Sequence, residues 1–444
     1  MESIHRHWSL LLGIGLGGWF AQSASAGEFA YGLGYVGEYS DNIQRVQANP
    51  QEEFINSVVA GVVYRENGPA LDAHLQAQAE YRNYQNDIYT DGQLYNADAS
   101  LLWRISPQQL NWVLVDRYDQ ITRDVTLPNT PGNQVNANVL NTGPDIYIRL
   151  GQVNTLVLEF RYGNAAYSDA SLNNYRYGAS VRWMYAASTE TSYSLNYQAE
   201  QTNYRDDIKN DNSLRQDLFL RADRRQARAR FLLDLGVTKI DRDRAGETTG
   251  PVARLTWAQQ LTSESSAGIL IASEYLDAGT ALLSTVTSPT PVPAAPPPAT
   301  STGGLTSDLY YQKRAEVFYK QGGGNIGLNT GAYYRDIDYE IALQDRIEAG
   351  WWLDVTYSPS SLLAATVYGS HMDTQYLSND RNDRENEAGI RFLYRVNRNI
   401  SATVDVWKTS HDSTDASQAY TDNRVLFSLL YSNSPLFVTS RTRR

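Results

Sequence analysis

Three histidines lie beyond the first 26 residues, and each could serve as a general base: His74, His371 and His411. His74 falls on the polar side of an alternating segment, so it faces the interior if that segment is a barrel strand. A hydrolase would need a nucleophilic serine beside such a histidine and a third group to orient it. No nucleophile-elbow motif places a serine there. We therefore expect no catalytic residue and no enzymatic activity, with His74 acting as an ordinary hydrogen-bonded polar residue.

Two other segments are weak candidates for ion binding. Residues 380–383 read Asp-Arg-Asn-Asp, as the start of a calcium loop does, but Glu385 stands where such a loop needs glycine. The chain has no cysteine, which excludes thiolate zinc sites. The run Gly322 to Gly324 is expected to be a turn, because no helix follows it to bind a phosphate. We expect no metal and no cofactor.

A larger set of charged residues shares the polar side of alternating segments. Their mixed signs predict either ion pairs that brace a barrel wall or the lining of a hydrated pore, and both can hold together. Balanced charge argues against strong selection for ions of one sign. The predicted pore-lining residues are His74, Arg82, Asp98, Arg104, Glu159, Arg161, Arg176, Arg182, Glu200, Arg228, Arg230, Asp234, Arg254, Arg335, Glu348, Asp354 and Arg391.

The elements that must position these residues are strands, because apolar and polar residues alternate along most of the chain. From Leu71 to Arg82 every second residue is apolar, and those between them are Asp, His, Gln, Gln, Glu and Arg. Similar runs near residues 95–105, 175–185, 227–235, 347–357 and 388–395 are close to the 9–11 residues of a tilted membrane strand. A soluble β-sandwich also alternates, but its strands are usually shorter. The pattern favours an all-β, transmembrane, antiparallel up-and-down barrel.

The predicted connections alternate between tight turns and longer polar loops. The longer ones fall at about 121–138, 205–212, 241–249 and 373–383. Short periplasmic turns and longer extracellular loops are typical of outer-membrane barrels. Counting strands in this way gives about 20, with 18 possible, and places both termini on the periplasmic side.

Aromatic residues are abundant, with 31 Tyr and 9 Trp. Amphipathic rings favour the headgroup regions on both sides of a membrane, so aromatics that cluster at the strand ends predict two girdles. The girdle nearest the tight turns is predicted to contain Trp103, Trp112, Trp183, Tyr185, Trp257 and Tyr357.

The chain divides into a leader, a barrel and a tail. Residues 1–26 have a basic start, an apolar run and Ala24-Ser25-Ala26, which predicts a cleaved signal peptide. The barrel is expected over 27–431 and a C-terminal tail over 432–444. Within the barrel, residues 278–307 are rich in Pro, Ala, Thr and Ser, which predicts a flexible extracellular loop or, alternatively, an inward-folded plug or gate.

The overall charge limits the possible partners. With 49 acidic and 38 basic residues the formal net charge is −11, and an acidic chain is a poor ligand for nucleic acid. We expect no nucleic-acid partner. The expected surroundings are the lipid and lipopolysaccharide of the outer membrane of a Gram-negative bacterium.

Several stretches resemble the outer-membrane β-barrel porin family of exopolysaccharide and exosortase (PEP-CTERM)-associated gene clusters. The resemblance rests on the run Glu38-Tyr39-Ser40-Asp41-Asn42, on Asp116-Arg117-Tyr118-Asp119-Gln120 before Asn138 to Pro144, and on Arg161-Tyr162 before Tyr175 to Gly178. It covers most of the chain beyond residue 26. The ending departs from the usual pattern, because Tyr431 is followed by a tail, so either Tyr431 or Phe437 is the aromatic read by the assembly machinery.

The resemblance implies a porin-like conduit that exports exopolysaccharide, with the polysaccharide as cargo and a periplasmic polysaccharide export protein as a possible partner. Two alternatives remain at this point. One is a general or solute-specific diffusion porin, and the other is a structural or adhesion barrel that acts through its external loops.

Overall fold

The structure is a computed structural model that describes residues 27–206, 210–284 and 306–434. The predicted signal peptide, the stretch 285–305 of the Pro-rich loop and residues 435–444 of the tail, with Phe437, lie outside the described residues. No helix within the described ranges is both long enough and apolar enough to cross a membrane.

The described residues form twenty β-strands and one short helix, each strand 12 to 16 residues long. The strands are β1 (Glu28–Ser40), β2 (Glu53–Asn67), β3 (Leu71–Tyr84), β4 (Gly92–Ser106), β5 (Leu110–Thr122), β6 (Gln134–Arg149), β7 (Asn154–Tyr167), β8 (Asn174–Ala186), β9 (Thr191–Tyr204), β10 (Ser213–Arg225), β11 (Ala229–Arg242), β12 (Gly246–Gln260), β13 (Ser265–Leu276), β14 (Tyr310–Gln321), β15 (Ile326–Tyr339), β16 (Arg346–Tyr357), β17 (Leu363–Tyr376), β18 (Asn382–Arg395), β19 (Ile400–Ser413) and β20 (Tyr420–Ser432). The helix α1 (Ala278–Ser284) lies between β13 and β14.

Each strand pairs with its sequence neighbours in antiparallel register, and β1 also pairs with β20, so the sheet closes on itself. Closure removes the two free edges that an open sheet would leave in lipid. The prediction of an all-β antiparallel up-and-down barrel is confirmed, with 20 strands rather than 18. Because that number is even, Glu28 and Ser432 lie at the same end, which is the end of the short connections.

The two faces of the wall differ as the alternation predicts. On β7 the outward side chains of Phe160 and Tyr162 are 49% and 42% exposed, whereas the inward Val157 and Ala165 are each 1% exposed. Most of the outward residues between the strand ends are apolar, as a lipid-facing band requires. The inward face carries most of the ion pairs and several small apolar clusters.

The connections alternate in length less regularly than predicted. At one end every connection has three to five residues, from 68–70 to 396–399, and at the other end they extend to 41–52, 123–133 and 277–309. The predicted loop at 241–249 is wrong, because β11 and β12 run through it and leave only 243–245 as the connection. β5, β6, β17 and β18 also extend into the predicted loops 121–138 and 373–383.

These strand extensions are not visible in the sequence because their residues are polar on both faces. Strand pairing needs only hydrogen bonds between backbone groups. Outside lipid, both faces of a strand can be polar. At the top of β11 and β12, Lys239 and Glu247 form an outward ion pair of 2.7 Å. On the inward side Arg242 donates to the Thr248 hydroxyl at 2.6 Å. Apolar alternation therefore marks the membrane-spanning part of a strand and not its full length.

Candidate functional site

The lumen-facing wall is lined by charges that are matched locally. All of the predicted pore-lining residues except Arg228 lie on the inward face of a strand. The pairs that hold them are His74 with Asp98 (3.3 Å), Arg82 with Glu80 (2.8 Å), Arg104 with Asp72 (4.0 Å), Arg161 with Asp145 (2.5 Å), Arg182 with Glu159, Arg176 with Glu200 (3.5 Å), Arg230 with Asp223 (3.7 Å), Arg254 with Asp234 (3.4 Å), Arg335 with Glu348 (3.4 Å) and Arg391 with Asp405 (2.7 Å). Asp354 accepts a bond of 2.9 Å from Asn329. Their role as the lining of a conducting pore stays a prediction.

Arg228 is the exception. The alternating run at 227–235 suggested that the strand began before it, but β11 begins at Ala229 and Arg228 lies exposed in the turn after β10. Its carbonyl accepts a hydrogen bond from the backbone N–H of Gln260, the last residue of β12. Its guanidinium therefore lies at the rim of the barrel and not on the wall.

Many members of this charge network were not predicted. Several partners sit on strands that alternate weakly, so their side chains could not be assigned to a face from the sequence. The inward residues that the prediction missed include Asp145, Asp217, Arg221, Asp223, Glu274, Glu316, Arg346 and Asp405. One feature of the sequence could have identified some of them. Oppositely charged residues two positions apart, such as Arg346 and Glu348, lie on the same face of a strand and can pair there.

The six predicted girdle aromatics all lie on the outward face and near the short connections. Trp183 is 49% exposed and Tyr357 is 51% exposed. Trp183 also donates its indole N–H to Asn154 at 3.2 Å, and Trp112 donates to Thr142 at 2.9 Å. Rings with an apolar body and a bonded polar edge suit the headgroup region. Their membrane depth stays a prediction.

The segment 277–284 leaves the wall and crosses the lumen. It follows β13, yet it contacts the inward faces of β5, β6 and β8, which lie five to eight strands away around the barrel. Asp277 forms a bidentate pair with Arg176 of β8, at 2.7 and 3.1 Å. The Thr280 hydroxyl donates to the same carboxylate at 2.7 Å. The loop 278–307 was predicted to be either an extracellular loop or an inward-folded plug or gate. Its first described part, 278–284, folds inward.

Apolar packing holds the end of this segment. Leu282 of α1 is 3% exposed and fills a cluster on the inward faces of β5, β6 and β7. The members of this cluster are Ile121, Val135, Ala137, Val139, Ala165, Tyr167 and Leu282. Exposing apolar residues to water on the inward face of a large barrel is unfavourable in free energy. Here they form the receiving surface for α1.

The carboxyl of Asp277 is ionised in this position. Burial alone would raise the pKa of Asp277, but the Arg176 guanidinium and the bonds from Thr280 outweigh burial and hold that pKa well below its usual range. The contact between α1 and β8 is therefore a charged one at neutral pH.

A second segment, the connection 123–133, crosses toward the opposite wall. The carbonyl of Val125 accepts a bond of 2.9 Å from the Tyr376 hydroxyl on β17. The carbonyl of Thr126 accepts a bond of 2.8 Å from Arg381, whose guanidinium stacks 4.0 Å above the Tyr376 ring. Asn133 shapes the connection by bonding the backbone of Asp124 in both directions. Together with 277–284, it occupies part of the lumen at the end of the long connections.

The candidates for chemistry take other roles. His371 points outward and bonds Asn386 and Asp373, and His411 stacks on Tyr420 at 5.0 Å. The calcium-like segment 380–383 joins the end of the turn 377–381 to the start of β18, and its Arg381, rather than its acids, makes the cross-lumen contact. Within the described ranges no cluster of three or more His, Asp or Glu side chains is arranged to hold a metal ion.

Several solved structures of outer-membrane proteins are similar to this chain at low identity. The FrpB iron transporter from Neisseria meningitidis (F5-1 variant, apoprotein form) is 10% identical, with 90% of this chain and 81% of that chain covered and a TM-score of 0.43. A mutant of the ferric enterobactin receptor PfeA from Pseudomonas aeruginosa is 9% identical over 92% and 81%, with a TM-score of 0.44. OpdK from Pseudomonas aeruginosa is 11% identical over 91% and 99%, with a TM-score of 0.38. Nothing about the cargo of this chain is inferred from them, since every one of these TM-scores lies below 0.5.

The sequence comparison is more specific. No curated protein sequence matches the chain. Residues 347–432, which span β16 to β20 including the strand that closes the barrel, match the model of the family described as "Putative beta-barrel porin 2". The chain is thus a closed antiparallel β-barrel, and its last five strands match this β-barrel porin family.

Proposed function

We propose that this barrel is a gated outer-membrane conduit that exports exopolysaccharide. The choice of cargo comes from the resemblance of the sequence to the porins of exopolysaccharide gene clusters. The barrel performs no reaction in this proposal. It lowers the barrier that the lipid core presents to a hydrated polymer.

The observation that carries the proposal is that 277–284 and 123–133 enter the lumen and contact distant strands. A barrel of 16–18 strands already encloses an aqueous channel, so twenty strands with no inner segment would leave a wide opening. A conduit for a polymer needs that width while it exports, and it must be closed at rest to preserve the membrane barrier. A diffusion porin has no such need for closure.

The charge pattern of the wall supports a neutral or weakly charged cargo. Most inward arginines of the described strands are matched by a nearby acid, as Arg391 is by Asp405, so the wall offers hydrogen-bonding groups without a large excess of one sign. Sugar hydroxyls can exchange such bonds with side chains and water. We further propose a periplasmic polysaccharide export protein as partner, because a passive barrel cannot drive a polymer outward.

The deciding experiment is deletion of the gene with measurement of secreted and periplasmic polysaccharide. We expect secreted polymer to be lost and polymer to accumulate in the periplasm, and the wild-type gene should restore secretion. A matched complementation with Trp351→Leu, an outward substitution, should restore it as well. Normal secretion in the deletion strain would refute the export function.

A conductance measurement distinguishes the export conduit from a diffusion porin. Purified protein in a planar lipid bilayer should be closed or nearly so under the proposal, because two segments cross its lumen. A steady open-channel conductance, without any partner, would favour the porin.

A further inference from the structure

Three aromatic rings on adjacent strands lie flat on the lumen-facing wall. They belong to β15, β16 and β17, and each is partly exposed on the inward face. Each covers a glycine of a neighbouring strand so closely that a Cβ atom on that glycine would collide with the ring. The pairs are Tyr333 over Gly350, Trp352 over Gly331 and Tyr368 over Gly389.

The glycines fix the orientation of the rings. A side chain opposite each ring would force it to stand away from the wall, whereas a glycine lets it pack on the backbone. Each ring then packs against the wall. The centres of Tyr333 and Trp352 are 6.4 Å apart with 33° between their planes, so these two rings form a nearly continuous shelf.

Polar groups flank this aromatic shelf of Tyr333, Trp352 and Tyr368. The Arg335 guanidinium lies over the Tyr333 ring, 4.7 Å from its centre, and that of Arg391 lies over the Tyr368 ring, 5.3 Å from its centre. Stacking of a ligand is therefore assigned to the central ring, Trp352. The Tyr368 hydroxyl donates to Asp405 at 2.9 Å.

Two more polar side chains come from the register of the strands. Asp354 is directly opposite Tyr368, and Ser370 is directly opposite Trp352 on the inward face. Directly paired residues have Cβ atoms about 5 Å apart, so both side chains are within reach of a ligand on the shelf.

We infer that the aromatic shelf is a binding subsite for a neutral saccharide. A pyranose ring has an apolar C–H face that stacks on flat aromatics, and its equatorial hydroxyls point sideways toward groups that donate and accept hydrogen bonds. A purely apolar ligand would not need the charged flanks, and a free ion of either sign would meet both arginine and aspartate. This inference rests on the proposed function for its choice of ligand and adds the place where that ligand binds.

The test compares two adjacent tryptophans on opposite faces of β16. Trp352→Leu removes the central ring of the shelf, and Trp351→Leu removes an outward ring of the same size. The full chain is purified in detergent and titrated with a panel of neutral hexasaccharides of glucose, mannose and galactose by calorimetry. We expect wild type and Trp351→Leu to bind at least one of them equally, and Trp352→Leu to bind about tenfold more weakly.

Folding is checked by heat-modifiable mobility on gels, and Tyr333→Leu serves as a second shelf variant if Trp352→Leu does not fold. Absence of binding to the folded wild type, or equal binding by the shelf variant and Trp351→Leu, would overturn the inference. The outcome is independent of the deletion experiment. Binding at the shelf with normal polymer secretion would refute export alone, and lost secretion with no effect of Trp352→Leu would refute the shelf alone.

Discussion

At the scale of single residues, the contact between Asp277 and Arg176 decides whether the first crossing segment stays docked. Both side chains are largely buried, with 14% and 8% of their surface exposed. Removing one partner of such a pair leaves the other as an uncompensated buried charge, which costs roughly 3–5 kcal/mol. The segment can avoid that cost only by leaving the wall. The pair is therefore the most direct place to open the lumen by mutation.

Arg176→Ala should raise the conductance of the purified barrel severalfold in planar bilayers, because α1 undocks when Asp277 loses its partner. The control is Arg221→Ala, which also removes an inward arginine paired with an acid but does not contact the crossing segment. Its partner Asp234 keeps Arg254, so little should change. Equal conductance in the two variants would show that the Asp277–Arg176 pair does not hold the lumen closed.

The same pair gives a pH dependence with a definite sign. The pKa of Asp277 is held below its unfolded value by Arg176 and Thr280, so docking is fully stabilised above the ordinary aspartate pKa of about 4. That stabilisation is lost as the pH falls through the folded pKa. Conductance should thus be constant from pH 8 to about pH 5 and rise only in stronger acid. A rise near pH 6–7 would assign the dependence to a histidine instead.

At the scale of elements, the connection 123–133 acts as a brace between distant strands. Its own hydrogen bonds through Asn133 give it a fixed shape, and two carbonyls at its tip meet β17 and the turn that follows β17. Backbone carbonyls accept these bonds, so the contact does not depend on side chains at the tip. The side chains that bind the tip are Tyr376 and Arg381, and the Arg381 guanidinium stacks on the Tyr376 ring.

Arg381→Ala should free this brace without unfolding the barrel. We expect amide hydrogen exchange of 123–133 to increase by about tenfold, because a charged hydrogen bond worth roughly 1.5–3 kcal/mol is lost. The matched control is Arg384→Ala, an outward-facing arginine three residues along that pairs with Asp373. It should leave exchange in 123–133 unchanged. An equal increase in both variants would indicate a general loosening of β18 instead.

At the scale of the whole molecule, stability depends on the seam where the last strand meets the first. Arg424 of β20 bonds Glu38 of β1 at 2.8 Å and Asp422 at 2.7 Å. Asp422 also accepts a bond of 2.7 Å from Ser40, so charge and hydroxyl groups join the two strands on the inward face. Since an open edge in lipid leaves backbone groups unpaired, loss of the seam exposes a costly edge.

Arg424→Ala should lower the free energy of unfolding by about 3 kcal/mol, because the buried Glu38 loses this cation, whereas Asp422 keeps Arg45 at 3.4 Å. Guanidinium unfolding in detergent, followed by heat-modifiable mobility, measures it. Lys408→Ala, an exposed outward residue of β19, is the control and should be within about 0.5 kcal/mol of wild type. A destabilisation no larger than that of the control would mean that backbone pairing alone seals the barrel.

The sequence alone predicted the barrel, because a lipid-spanning strand must place apolar residues at every second position, and this constraint is visible from Leu71 to Arg82. It also assigned inward faces correctly wherever alternation was strong, as at Arg161 and Asp234. It misplaced Arg228 and the loop at 241–249, since alternation no longer restricts the residues once a strand leaves the membrane.

The ion pairs, the crossing segments and the aromatic shelf were decided only by the tertiary structure. Asp277 and Arg176 are 101 residues apart in the chain, and Tyr376 and Val125 are 251 apart. No local pattern encodes such contacts, because they depend on how the closed wall brings opposite strands within reach. The same is true of the shelf, where a ring on one strand lies flat only because its neighbour carries glycine at the paired position. The period-two pattern predicts the face of the strand on which each side chain lies. The closure of the barrel determines which side chains it contacts.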